Sequence, residues 1–133
     1  MRFTVDRIDH IVMNVKSVEI TAAWYQRVLG MEREDFGATG RTALKFGGQK
    51  INLRPIEAET GSWPTGVCSE PGAVDVCFIT AVPPDEVIGH LHDNGVQILQ
   101  GPVEKAGALG AIMSVYCRDP DGNLVEISSY QSR

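Results

Sequence analysis

The chain is poor in the features that announce most chemistries. Its three cysteines, Cys68, Cys77 and Cys117, are odd in number and widely spaced, so they form neither a zinc-type pair nor a disulfide framework. Cys77 and Cys117 lie in apolar, strand-like runs, where a reduced thiol is expected as a small core residue. Basic residues do not gather, and the net charge is −5, so nucleic acid is not an expected partner. No apolar run is long enough to span a bilayer. The first residues place Arg2, Asp6 and Arg7 where a secretory leader needs an apolar stretch, so a cytoplasmic protein is expected. There is no Ser-His-Asp order, no phosphate-binding glycine loop and no alternation of basic and aromatic residues. What remains is 133 residues, 43% hydrophobic and 22% charged, the composition of one soluble domain able to bury roughly two thirds of its unfolded surface.

What the chain does have is an internal echo. Asp9-His10-Ile11-Val12 opens one half and Val74-Asp75-Val76-Cys77 the other, and Gly30 follows His10 at the interval at which Gly95 follows Asp75. A tandem repeat of a small unit implies two modules burying one shared face. Residues 8–15 are predicted as a strand. Ser17 caps a helix with Glu19 in its first turn. Ile20, Ala23, Trp24, Val28 and Leu29 recur at helical spacing, and Gly30 supplies the left-handed stop. Residues 42–46 and 50–54 read as strands around Gly47-Gly48, and the Pro- and Gly-rich stretch 57–72 as the connecting loop. In the second half, 75–79, 96–99, 112–118 and 124–128 read as strands. Pro83-Pro84 open a helix that Gly95 ends. Residues 101–110 read as a flexible segment, and Asp119–Asn123 as a tight turn. The expected fold is α+β: a single domain of two tandem βαβββ modules, about 5–56 and 73–130, giving a mostly antiparallel eight-stranded sheet system with helices outside.

Strand side chains alternate between faces. With His10 turned inward, Val12 and Asn14 follow it. Asp75 with Cys77, Asn52 with Arg54, and Leu124 with Glu126 and Ser128 then occupy the matching faces, while Ser114, Tyr116 and Arg118 share one face of a neighbouring strand. Counting between the last hairpins of the two halves pairs Arg54 with Glu126. A carboxylate on a buried strand face needs a hydrogen-bond partner or a cation; the plain alternative makes Glu126 a surface residue. His10 is either a ligand or a core histidine satisfied by backbone, and Asp75 either an oxygen ligand or a strand-end residue. His90 and His92, two apart on a helix, point roughly 200° apart and cannot share a metal. Trp24 and Tyr25 read as helix packing. Trp63 reads as loop packing, a pocket mouth or a dimer contact.

Arg7-Ile8-Asp9-His10-Ile11-Val12, Trp24-Tyr25 followed by Val28-Leu29-Gly30-Met31, and Asp119-Pro120-Asp121-Gly122-Asn123-Leu124-Val125-Glu126 resemble the vicinal oxygen chelate superfamily. That superfamily holds glyoxalase I, fosfomycin-resistance proteins, extradiol dioxygenases and bleomycin-binding proteins; the chain is most similar to the single-chain glyoxalase-domain proteins. The resemblance implies paired βαβββ modules around a cupped sheet, a homodimer, and a divalent metal (nickel, zinc, manganese or iron). His10 and Glu126 are then the implied ligands, with Asp75 a third. Arg54 stands where a histidine is expected. It either turns aside to bind an anionic substrate or pairs with Asp75 and Glu126 in place of the metal. The implied activity is that of a glyoxalase-like enzyme, a lyase, isomerase, transferase or dioxygenase acting on a small molecule with adjacent oxygens. Glu126 would serve as base, Tyr116 and Ser114 as donors to substrate, and Arg54 and Asn52 in substrate binding. The alternative is a metal-free binding or sequestering protein of the bleomycin-resistance type.

Overall fold

A computed structural model describes residues 1–131. The elements run β1 (His10–Val15), α1 (Val18–Leu29), β2 (Glu32–Phe36), β3 (Arg41–Phe46), β4 (Gln49–Pro55), β5 (Asp75–Ile79), α2 (Pro84–Asp93), β6 (Gln100–Gly107), β7 (Gly110–Arg118) and β8 (Leu124–Tyr130). The chain divides into two compact units, the first ending at Glu70 and the second starting at Pro71. Unit 1 is a four-stranded sheet in the order β1-β4-β3-β2, and unit 2 one in the order β5-β8-β7-β6. In each, the first strand runs parallel to the last and the other neighbours are antiparallel. The fold is α+β, its eight strands divided between two mixed sheets.

In unit 1 the sequence signals act as physical stops. The Ser17 hydroxyl accepts a hydrogen bond from the Ile20 amide at 3.1 Å, and Gly30 closes α1 at φ 65°, a conformation that costs glycine little. The apolar stripe of α1 packs on β2, β3 and β4. Ala22, Tyr25 and Val28 are buried there together with Met13, Val15, Leu44, Ile51 and Leu53, and each large side chain so buried stabilises the fold by about 1.5–3 kcal/mol. The alternate residues of the same strands, His10, Val12, Asn14, Asn52 and Arg54, occupy the other face. β4 is nonetheless buried on both faces from Ile51 to Arg54, and at its end Arg54 is bonded to residues 56–66, a strap that folds back over it.

Unit 2 repeats the scheme. α2 packs on β7 and β8, burying Val87 and Leu91 with Val115, Cys117, Val125 and Ile127. The turn before β8 is held from within: Asp119 Oδ1 accepts from the amides of Asp121 and Asn123, and Asn123 Oδ1 accepts from the Val74 amide at 2.9 Å. The start of β5 is thereby tied to the start of β8.

Four expectations change. β1 begins at His10, two residues late. Residues 96–99 are not a strand; β6 instead occupies most of the stretch expected to be flexible. It is an edge strand with almost every residue exposed, and its register shifts between Gln100 and Val103, so it shows neither apolar alternation nor an unbroken ladder. β2, with the sequence Glu-Arg-Glu-Asp-Phe, is likewise a charged edge strand; Arg33 pairs with Glu19 at 2.6 Å and Lys45 with Glu34 at 2.9 Å. Cys117 is buried, but Cys77 is exposed: it lies on the face of β5 away from the helix. No helix among the described residues is long and apolar enough to cross a membrane.

Candidate functional site

Strand register shows which residues of the two units correspond. In unit 1, β1 pairs with β4 as His10↔Lys50, Val12↔Asn52 and Asn14↔Arg54. In unit 2, β5 pairs with β8 as Asp75↔Leu124, Cys77↔Glu126 and Ile79↔Ser128. His10 and Asp75 both open their strands, so the counterpart of Glu126 is Asn52, not Arg54, whose counterpart is Ser128. Counting along the sequence misplaced the pair because the two units carry different loop lengths. The guanidinium therefore does not stand at the place that matches Glu126.

In unit 2, Glu126 is half-buried on the face away from α2. Ser114, which is fully buried, donates its hydroxyl proton to Glu126 Oε2 at 2.5 Å. Ser114 Oγ lies 2.7 Å from Ser128 Oγ, and Ser128 Oγ 3.3 Å from Cys77 Sγ. Each group has one proton. Glu126 Oε2 also accepts from Ser128 Oγ at 3.4 Å, so Ser128 divides its proton between Ser114 and the carboxylate, and its oxygen is left to accept from the Cys77 thiol. Cys77 is exposed as a residue, but partial desolvation of its sulfur pushes the thiol up, against the lowering effect of Ser128, so it keeps its proton. Asp75, Tyr116, Glu126, Leu99, Gln100 and Leu124 line an open pocket of about 620 Å³. Among the described residues neither Asp75 nor Glu126 enters an ion pair. Ser114 was singled out in the sequence; Ser128 and Cys77 were placed only on the matching face, which was the one signal of their connection.

The Tyr116 hydroxyl is pushed up to about 12, first by burial, then by its hydrogen bond to Glu126 and by that carboxylate's charge. A raised tyrosine keeps its full contribution to stability below its unfolded value of about 10 and loses it as pH rises toward 12. Unfolding free energy is expected to fall across that window. Removing the charge with Glu126→Gln should bring Tyr116 ionisation to lower pH. Phenolate absorbance, with Tyr116→Phe as the blank, reads the change; an unmoved titration would assign the whole shift to burial.

In unit 1, His10 Nδ1 lies 2.8 Å from Asp9 Oδ1, and this hydrogen bond is the main reason the Asp9 carboxyl sits below its usual range. When Nδ1 carries the proton, the lone pair of Nε2 is left for a ligand. Arg54 is engaged inside its own unit. Nε donates to the Trp63 carbonyl at 3.1 Å, and the two Nη groups to Asn14 Oδ1 at 2.8 Å and the Ala58 carbonyl at 3.0 Å. Asn14 Nδ2 adds a bond to Thr65 Oγ1 at 3.1 Å. Asn52 Oδ1 is buried with no hydrogen-bond partner among the described residues. Trp63 lies over Arg41, with 3.8 Å from guanidinium carbon to ring centroid, so it packs the strap as one of its expected roles. Arg118 donates to the Gly122 carbonyl at 3.1 Å on the surface. Trp24 and Tyr25 meet edge to face at 4.9 Å inside the packing of α1. Within either unit, no three His, Cys, Asp or Glu side chains among the described residues are drawn together to hold a metal ion.

Residues 7–127 match the family model described as the Glyoxalase/Bleomycin resistance protein/Dioxygenase superfamily. The chain is 46% identical to virulence protein STM3117 of Salmonella typhimurium, over 98% of this chain and 88% of that protein. It is 42% identical to the glyoxalase domain-containing protein RDO1 of Mycosarcoma maydis, over 98% and 72%. Among solved structures, an integron cassette protein from the mobile metagenome of V. cholerae is 44% identical and superposes with a TM-score of 0.93, covering 98% of this chain and all of the other. Two βαβββ units, each parallel at its first and last strands, and a family match from Arg7 to Ile127 thus agree: the chain belongs to the glyoxalase/bleomycin resistance/dioxygenase superfamily.

Proposed function

We propose that this protein is a glyoxalase-like, metal-dependent enzyme acting on a small molecule with two adjacent oxygens, with His10, Asp75 and Glu126 as the metal ligands. The observation that carries this is the state of Glu126: a half-buried carboxylate oriented by hydroxyl groups, facing a pocket with a second carboxylate and no ion-pair partner among the described residues. Such a group is stabilised by a bound cation. One imidazole and two carboxylates suit zinc, nickel, manganese or iron(II). A divalent ion held there would supply Lewis acidity toward neighbouring substrate oxygens. The chain's own groups supply the rest. Glu126 is the base, Ser114 holds its carboxylate in one orientation, and Tyr116, protonated throughout the physiological range, donates to substrate oxygen. The reading carries with it the cytoplasmic, homodimeric setting expected of the family.

Protein purified without chelators is expected to hold divalent metal in stoichiometric amount, read by elemental analysis. Absence of metal, together with a melting temperature indifferent to added nickel, manganese, zinc or iron(II), would overturn the enzyme reading in favour of a metal-free binding protein.

A further inference from the structure

Two polar groups on one face of β4 lack the partners their chemistry calls for. Arg54 is only 3% exposed, yet its hydrogen bonds go to two backbone carbonyls and an amide oxygen. It joins no ion pair among the described residues. A guanidinium has five N–H donors, so two remain beyond these three. Asn52 stands two residues earlier on the same face, about 6.6 Å along the strand. It is 7% exposed, and its Oδ1 accepts from no donor among the described residues. A positive charge without a counter-charge calls for an anion, and a buried amide oxygen without a donor calls for a proton.

Arg54 lies under the strap, residues 56–66, and, together with Arg41 and Asn14, holds it there. Its inward residues, Ala58, Trp63 and Thr65, are half-buried while their neighbours are exposed. They are also the residues bound by Arg54, Arg41 and Asn14. The strap forms no strand of its own. Ala58 and Trp63 accept through neutral carbonyls, whereas an oxyanion on a guanidinium forms bonds about twice as strong.

We propose that Arg54 is a latch: a small oxyanion carrying a hydroxyl group displaces the Ala58 and Trp63 carbonyls from the guanidinium, donates its hydroxyl to Asn52 Oδ1, and releases the strap. That this oxyanion is the substrate rests on the enzyme reading above. The latch itself uses residues of unit 1 alone and needs no metal, so metal content and strap release fail or succeed separately.

The test is amide hydrogen exchange of the full chain as purified. It reads the Ala58, Ser62 and Trp63 amides, which are bonded to the Pro55 and Glu59 carbonyls. Lactate and glycerol phosphate, one a carboxylate and one a phosphate, are compared with acetate, inorganic phosphate and chloride at matched ionic strength. Saturating lactate or glycerol phosphate is expected to speed strap exchange about tenfold, the scale of one or two hydrogen bonds. Acetate and phosphate should need about tenfold higher concentration. Whichever hydroxylated anion acts alone names the oxyanion type. Arg54→Gln should exchange fast without ligand and respond to none; Asn52→Leu should keep the latch and lose the preference for hydroxylated anions. Trp63 fluorescence in the unsubstituted protein, with Trp63→Phe as the blank, should follow the same titration without depending on whether a variant folds. A strap indifferent to all four oxyanions in the unsubstituted protein, or as protected in a folded Arg54→Gln variant as before, overturns the proposal.

Discussion

Replacing Glu126 with alanine is expected to lower divalent-metal affinity by about 100-fold or more, and replacing Ser114 with alanine by about tenfold. In the proposed ligand set the carboxylate would bring the charge that offsets the ion, so its loss would remove both a bond and a counter-charge. Ser114 acts one step back. Its proton is committed to Oε2 at 2.5 Å, which orients the carboxylate, and removing such a partner costs roughly 10–100-fold in comparable sites. Stability should change little in Glu126→Ala, because Ser114 and Ser128 still hydrogen-bond each other at 2.7 Å. Competition against a chromogenic chelator measures both affinities. Equal losses in the two variants would make the hydroxyl a ligand in its own right. No loss in Glu126→Ala would remove this carboxylate from the ligand set.

Gly101→Ala is expected to destabilise the protein by at least about 3 kcal/mol, lowering the melting temperature by roughly 10 °C or more. Gly101 sits at φ 115°, and an added methyl group would press on the Ser114 carbonyl oxygen and stand 3.0 Å from the Val115 Cα. Both obstacles are backbone of a central strand, which cannot rotate aside as a flexible side chain can. Gly89 is the control. It lies within α2, with nothing near the position of an added methyl, so Gly89→Ala should stabilise by about 0.5–1 kcal/mol. Thermal denaturation of the two variants beside the unsubstituted chain settles it. A loss of under about 1 kcal/mol in Gly101→Ala would mean that β6 can pull away from β7 cheaply.

The helix borders and the strands flanking the two hairpins were legible because local chemistry determines them: a capping serine, a left-handed glycine, alternating apolar residues. β6 was not, since an exposed edge strand need not carry an apolar stripe, and its glycines and proline imitate a loop. The correspondence between Arg54 and Glu126 failed for a different reason. Sequence intervals measure loops as well as strands, whereas equivalence across a repeat is set by hydrogen-bond register, where Asn52 takes the place. The strap was visible only as a Pro- and Gly-rich connection. Its true position depends on the side chain of Arg54, just before it, and on that of Asn14, far from it along the chain. Glu126, Ser114 and Tyr116 were readable as a group because alternation alone puts them on one face of neighbouring strands. What alternation does not show is hydroxyl order, which is why Cys77 and Ser128 join them only in three dimensions.

The strand order has a bearing on how this polypeptide comes into being. In each unit the strand made last lies inside the sheet, and the strand made first has it as sole neighbour. A nascent chain therefore carries β1 without any ladder until Gln49–Pro55 has left the ribosome, and β5 without one until Leu124–Tyr130 has. Translation that halts just short of either segment leaves the unit it belongs to as a bare hairpin, a lone first strand and a stranded helix, material for the quality-control machinery.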